Sequence, residues 1–213
     1  RVPEPTDAAP ALPPLDESDV ALRGELQALV GRAPFESFFV PMQIVRRWVG
    51  FIDSLDRDGV PLARRPAKSV AGRPVVETVD GRLVLGVANA QRYSAYLAVL
   101  QAVDAQALVT FYFRDYPLFQ QAYDELGYGG RYFNTRLLDV IDHLLATPDV
   151  PGPIALVQPK VLYQFADPEL ESLSFGQKVL IRSGADNAVA VKARLREIRA
   201  AIVARTQPAA APG

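Results

Sequence analysis

The 213 residues include no cysteine, one histidine, one methionine and one tryptophan. Without thiols, cysteine nucleophiles, iron–sulfur clusters, disulfides and Cys-ligated zinc are all excluded. The lone histidine, His143, cannot supply the two or more imidazoles common in hydrolytic zinc centres, so no metal and no cofactor is expected. An excess of either charge is missing too: 23 Lys+Arg stand against 24 Asp+Glu, for a net charge of −1. A nucleic-acid partner is therefore not expected, because such a surface is normally strongly basic. Long apolar runs are also absent. The longest uncharged stretch of apolar character, residues 93–103, falls well short of the roughly 20 residues that cross a bilayer.

What is present is ordinary globular composition, 49% hydrophobic and 22% charged, with 18 prolines and 14 glycines. At about 150 residues per domain the length suggests one domain with tails. The prolines of residues 1–17, set among alanines and acids, predict a disordered acidic linker. Residues 18–205 are then a single mainly helical domain and residues 206–213 a disordered tail. The chain opens on Arg1 rather than Met, which leads to the expectation that a signal or anchor segment preceded it. Charge is unevenly spread: residues 1–19 carry −4, residues 42–73 carry +4, residues 74–177 carry −6 and residues 178–205 carry +5.

The expected fold is a mainly α single-domain helical bundle of about seven or eight helices, with one β-hairpin and one weaker strand pair. Val20, Leu22, Leu26, Leu29 and Val30 fall near one helical face up to Gly31, a C-cap residue. Phe38, Met42, Val45, Val49, Ile52 and Leu55 define a second helical stripe, which Pro41 should break near its start. Asp80-Gly81 between apolar runs predicts a type I′ hairpin, with Val76, Leu83, Leu85 and Val87 on one face. Asn89 is expected to cap one helix and Asp104 a longer one that Pro117 interrupts. Phe133 to Leu145 forms an amphipathic pattern. Two strand-like runs follow at residues 154–157 and 161–165. Ser174 with Gln177 three residues on reads as a capping box, and Val191, Leu195, Ile198 and Ile202 line a last helix.

Few residues carry a chemical signal. Asp139, Asp142 and His143, with Arg136 one turn away, form a polar cluster on one helix, the grouping from which a hydrolase would first be assembled. No G-x-S-x-G elbow accompanies it, so a Ser-His-acid triad is not expected and no catalytic residue is assigned. The glycines at 127, 129 and 130 lack the Lys and Ser/Thr of a phosphate-binding loop and read as a turn. Tyr128, Arg131, Tyr132 and Asn134 around that turn are candidates for a shallow binding groove. Lys192, Arg196 and Arg199, at steps of four and three, are candidates for a basic stripe that attracts anions or a membrane surface.

Three segments carry a resemblance: residues 116–127 (YPLFQQAYDELG), residues 132–145 (YFN through VIDHLL) and residues 165–178 (FADPELE through GQK). They resemble the proteobacterial domain-of-unknown-function 3014 family over residues 12–202. That resemblance implies an amino-terminal transmembrane anchor, a Pro-rich linker and a periplasmic domain tethered to the bacterial inner membrane; it assigns no catalytic residue or ligand. The leading expectation is a non-catalytic, membrane-tethered cell-envelope domain that binds a protein or an anionic envelope component. A small-molecule or peptide sensor comes next, and a hydrolase using Asp139, Asp142 and His143 third.

Overall fold

The computed structural model describes residues 12–206. The expected linker residues 1–11 and tail residues 207–213 lie outside them. Among the described residues there are ten α-helices and one small antiparallel sheet, so the fold is mainly α with a minor β part. Ordered packing begins earlier than expected: residues Leu15–Glu17 form a 3-10 turn, and Leu15, 5% exposed, belongs to the core rather than to a linker.

Helix α1 (Asp19–Val30) buries Leu22 and Leu26 and ends at Gly31, whose φ of 89° suits a residue without a Cβ; Val20, expected on that face, sits in the first turn off the buried stripe and is 80% exposed. α2 (Arg32–Phe38) and α3 (Ile44–Ile52) are separated at Pro41, as a missing N–H requires. The interruption alters one expectation: Met42, read as part of the core stripe, falls in the break and is 60% exposed. In its place Asp19 accepts from the backbone N–H groups of Gln43 and Ile44 at 2.7 and 2.8 Å, satisfying donors at the start of α3. The basic segment 57–73 is less free than its charge suggests. Arg47 and Arg65 donate to its carbonyls, and Arg65 also lies over the Phe175 ring at 5.3 Å.

The hairpin forms as the sequence predicts. β1 (Val76–Val79) pairs with β2 (Arg82–Leu85) across Asp80 and Gly81, with φ of 49° and 74°, both positive as a type I′ turn demands. The second strand pair, β3 (Ile154–Val157) with β4 (Gln164–Phe165), is not separate: β3 joins β2, giving one sheet of order β1-β2-β3-β4. One sheet face, with Val76, Leu83, Leu85, Ile154, Leu156 and Phe165, packs on Ile181. Val87, expected on that face, lies beyond the strand and is 86% exposed.

Asn89 is no helix cap. A 3-10 segment (Val87–Tyr93) precedes α4 (Ser94–Ala102), and the buried Asn89 amide instead accepts from Val75 N–H and donates to the Arg182 carbonyl. Asp104 does cap α5 (Ala105–Arg114), accepting from Ala107 N–H at 2.7 Å. The chain breaks at Asp115, and Pro117 sits in the first turn of α6 (Tyr116–Asp124), where its missing donor costs nothing. Residues 87–114 are apolar enough in total to span a membrane but bend by 74° between α4 and α5; no single described helix is both long and apolar enough.

α7 (Phe133–Leu145), α9 (Phe175–Ser183) and α10 (Ala185–Thr206) complete the bundle, with the short α8 (Pro168–Glu171) before α9. Ser174 and Gln177 make the expected capping box. Gly176 is required by a close approach: a Cβ there would lie 2.6 Å from Leu144 Cδ2 and 2.9 Å from the Leu55 carbonyl oxygen. Phe175 and Gly176 donate their N–H groups to the carbonyls of Arg57 and Leu55 at 2.7 and 2.8 Å, pinning the chain beyond α3 against α9. That clamp fixes the backbone from which one wall of the site projects.

Candidate functional site

A cleft of about 510 Å³ opens between the end of α3, the loop 127–132 and the first turns of α7. Its walls are Asp53, Arg57, Tyr123, Tyr128, Arg131, Tyr132, Thr135, Arg136 and Asp139.

At its base is Asp53, 2% exposed, which ends α3. A buried carboxylate must be paired, and this one faces two guanidiniums. Arg136 donates from Nε to Asp53 Oδ1 at 3.0 Å and from Nη2 to the Asp53 carbonyl at 2.7 Å. It also holds Asp56 through two bonds of 2.7 Å. The Arg136 fork is thus occupied, and these hydrogen bonds raise its pKa while lowering that of Asp56. Arg57 contributes one nitrogen: Nη2 donates to Asp53 Oδ2 and to the Tyr128 hydroxyl, both at 2.7 Å. That hydroxyl bond is the main reason the Arg57 pKa rises.

The opposite wall is aromatic. Tyr128 stacks on Tyr123 with ring centroids 4.8 Å apart, and the Arg131 guanidinium lies 6.0 Å from the Tyr128 ring centre. Arg131 is exposed and makes no side-chain hydrogen bond or ion pair among the described residues. Its backbone is nevertheless fixed. Gln120 Nε2 donates to the Arg131 carbonyl at 2.8 Å and to Asp124 at 2.9 Å, while its Oε1 accepts from Phe133 N–H at 2.9 Å and the Tyr116 hydroxyl at 2.8 Å. Every hydrogen-bonding position of that amide is used: two bonds fix it within α6 and two hold the loop. Positive φ at Gly127 and Gly130, 94° and 81°, lets the loop turn at both ends.

The structure therefore brings together Tyr128, Arg131 and Tyr132 of the expected groove and excludes the fourth residue. Asn134 is 6% exposed, and its Oδ1 accepts from the buried Tyr112 hydroxyl at 3.3 Å. The reason is phase: Asn134 is the second residue of α7 and faces the core beside Phe133. The basic stripe is dismantled as well. Lys192 is 6% exposed, its Nζ bonded to the Thr147 carbonyl and to Asp149 at 2.5 and 2.7 Å. Arg199 grips Asp142 through Nε at 2.6 Å and Nη2 at 2.9 Å, which lowers the Asp142 pKa. Of the three, only Arg196 is fully exposed.

The polar cluster on α7 is likewise divided. Asp139 lines the cleft, Asp142 belongs to Arg199, and Arg136 pairs with Asp53 and Asp56 rather than with Asp139. His143 Nε2 lies 2.9 Å from Ser174 Oγ, a nucleophile–base distance. Yet Ser174 is 7% exposed and its Oγ accepts from Gln177 N–H as a helix cap, so the hydroxyl is neither accessible nor free. Among the described residues no three His, Asp or Glu side chains gather as metal ligands would.

Asp53, Asp56 and Thr135 escaped the sequence reading, in which Arg57 counts only as charge of the basic segment 57–73 and Tyr123 only as an aromatic of a helical core stripe. The available signal was the acidic break Asp53-Ser54-Leu55-Asp56 at the end of an apolar helical stripe, where two carboxylates close to a core need cationic partners.

Residues 44–199 match the family model described as protein of unknown function (DUF3014). The chain belongs to that family. The DUF3014 match starts at α3, so it takes in every wall of the cleft and leaves α1 and α2 outside. No curated protein and no solved structure matches the chain.

Proposed function

We propose that this DUF3014 domain is a non-catalytic binding module that takes up a carboxylate-bearing, acidic partner segment in the Tyr128 cleft. The observation that carries this reading is the unequal use of the three guanidiniums. Arg136 is consumed by Asp53 and Asp56, whereas Arg57 engages through one nitrogen and Arg131 through its π-face contact alone. The remaining N–H donors of Arg57 and Arg131 flank one tyrosine ring and match the planar fork that carboxylates accept. Tyr128, held by its stack on the buried Tyr123, and the half-exposed Tyr132 offer flat apolar area at little entropic cost.

The family resemblance supports placing the module in the bacterial periplasm, tethered to the inner membrane, with a protein or an anionic envelope component as partner. A sensor for a small anionic ligand is the second reading, favoured by the cleft volume of about 510 Å³, which lies within the range of small-molecule sites. Calorimetric titration with a hexaglutamate peptide and with glutarate separates the two. Saturable binding of the peptide with little heat from glutarate supports the binding module; the reverse order supports the sensor. Absence of both at low ionic strength contradicts the reading.

A further inference from the structure

The four-stranded sheet presents a second surface that the cleft does not use. Antiparallel order β1-β2-β3-β4 puts the β1–β2 turn and the β3–β4 loop at the same end of the sheet, as neighbours. Val79 pairs with Arg82, and extending the Val84–Ala155 register by two residues sets Arg82 level with Val157. Residues level across strands share a face, so Val79, Arg82 and Val157 lie side by side on the face opposite the one packed on Ile181, beyond the buried Val84. Beyond them the β3–β4 loop carries Val161 and Leu162. These side chains are exposed by 44% (Val79), 43% (Val157), 85% (Val161) and 77% (Leu162).

Four large aliphatic side chains gathered at one end of a sheet are not the scattered exposure normal for a protein surface. The loop does not present them by fraying, because Gln158 Nε2 donates to the Val161 carbonyl at 3.1 Å and closes a local turn. Arg82 and Lys160 lie in the same two tips, are exposed, and enter no ion pair among the described residues; the tips hold one carboxylate, Asp80.

We infer that these paired tips form a docking surface for an anionic lipid bilayer. Two arguments select the lipid. First, the apolar residues stand exposed at a turn and a loop tip and line no part of the described cleft, so they suit shallow insertion at the boundary between headgroups and acyl chains, not capture of a peptide. Second, the flanking cations complement anionic headgroups. Neither argument uses Arg57, Tyr128 or Arg131, so the inference stands apart from the proposed cleft function.

The absence of cysteine makes a direct test simple, because one introduced thiol can be labelled uniquely. Leu162→Cys carrying an environment-sensitive dye is mixed with vesicles of phosphatidylcholine containing about one-third phosphatidylglycerol, with Val20→Cys on α1 as the labelled control. The expected result is a blue shift and intensity gain at Leu162→Cys only, absent with pure phosphatidylcholine and reduced by salt. In co-sedimentation the unlabelled Val161→Asp/Leu162→Asp variant should bind at least about tenfold more weakly with an unchanged melting temperature. Arg82→Gln/Lys160→Gln should also weaken binding, and Arg57→Gln/Arg131→Gln should leave it intact. No vesicle binding at low salt, equal binding by the double Asp variant, or equal dye responses at both positions would overturn the inference. A dimer in solution that Val161→Asp/Leu162→Asp dissociates would assign the surface to a second copy of the chain and overturn it as well.

Discussion

Arg57 donates from Nη2 to the Tyr128 hydroxyl at 2.7 Å, joining residues 71 positions apart in the chain. The bond ties the segment after α3 to the loop before α7, and the same guanidinium nitrogen reaches the buried Asp53. Tyr128→Phe keeps the stack on Tyr123 and removes both the acceptor for Arg57 and a donor that lies 3.4 Å from Asp53 Oδ2. The expected cost in chemical denaturation is about 1.5–3 kcal/mol, the usual net worth of a hydrogen bond to a charged group. A loss of more than about 3 kcal/mol would mean that the hydroxyl holds more than the loop.

Asp53 and Arg136 form the most deeply buried ion pair of the cleft, with side chains 2% and 19% exposed. Asp53→Asn leaves guanidinium charge facing a neutral amide, and about 3–5 kcal/mol of stability should be lost, the usual result of breaking one side of a buried pair. Arg136→Met in the Asp53→Asn background should cost much less than Arg136→Met alone. Additive losses in this double-mutant cycle would show that the two residues do not act as a unit.

Asp56 has its pKa lowered chiefly by hydrogen bonds from Arg136. A carboxyl group whose folded-state pKa lies below its unfolded value adds stability at pH above the unfolded value, near 4, and that contribution is lost as pH falls through the folded value. Denaturation midpoints measured from neutral pH down into the acid range should therefore fall more steeply for the wild type than for Asp56→Asn, the two curves converging at the acid end. Parallel curves would remove Asp56 from the linkage.

Two glycines should respond in opposite ways to alanine. Gly176→Ala drives a Cβ against Leu144 and the Leu55 carbonyl, and should cost about 1–3 kcal/mol as overpacking that loosens the wall carrying Arg57. Gly24, exposed on α1 with nothing within 4 Å of where a Cβ would lie, should gain about 0.5–1 kcal/mol from the same substitution. Thermal melts of both variants check the pair, and a stabilised Gly176→Ala would contradict the described packing of α9 on residue 55.

The fold was largely readable from the sequence because its signals are local. Asp80-Gly81, Pro41, Pro117, and Ser174 with Gln177 each constrain only their own few residues, and the chain obeys them. The joining of the two strand pairs into one sheet was not readable, since the Val84–Ala155 pairing joins residues 71 positions apart and has no local signature. The site was half readable for the same reason. Tyr128, Arg131 and Tyr132 announce themselves around a glycine turn, but Asp53 and Arg57 reach the cleft only through tertiary contact. Charge at helical spacing misled: Lys192 looks like one cation of a solvent-facing stripe, yet the turn of α10 aims it at the Thr147 carbonyl.

The central claim is that the spare donors of Arg57 and Arg131, on either side of Tyr128, hold an anionic partner group. Two-dimensional amide and tyrosine-ring NMR of the 213-residue chain, titrated with hexaglutamate at low salt, tests it most directly. The expected result is saturable shifts confined to Tyr128, Arg131, Tyr132 and the end of α3, with at least about tenfold weaker binding in Arg57→Gln/Arg131→Gln. Shifts centred elsewhere, for instance around Arg196, or unchanged affinity in the double variant, would contradict it.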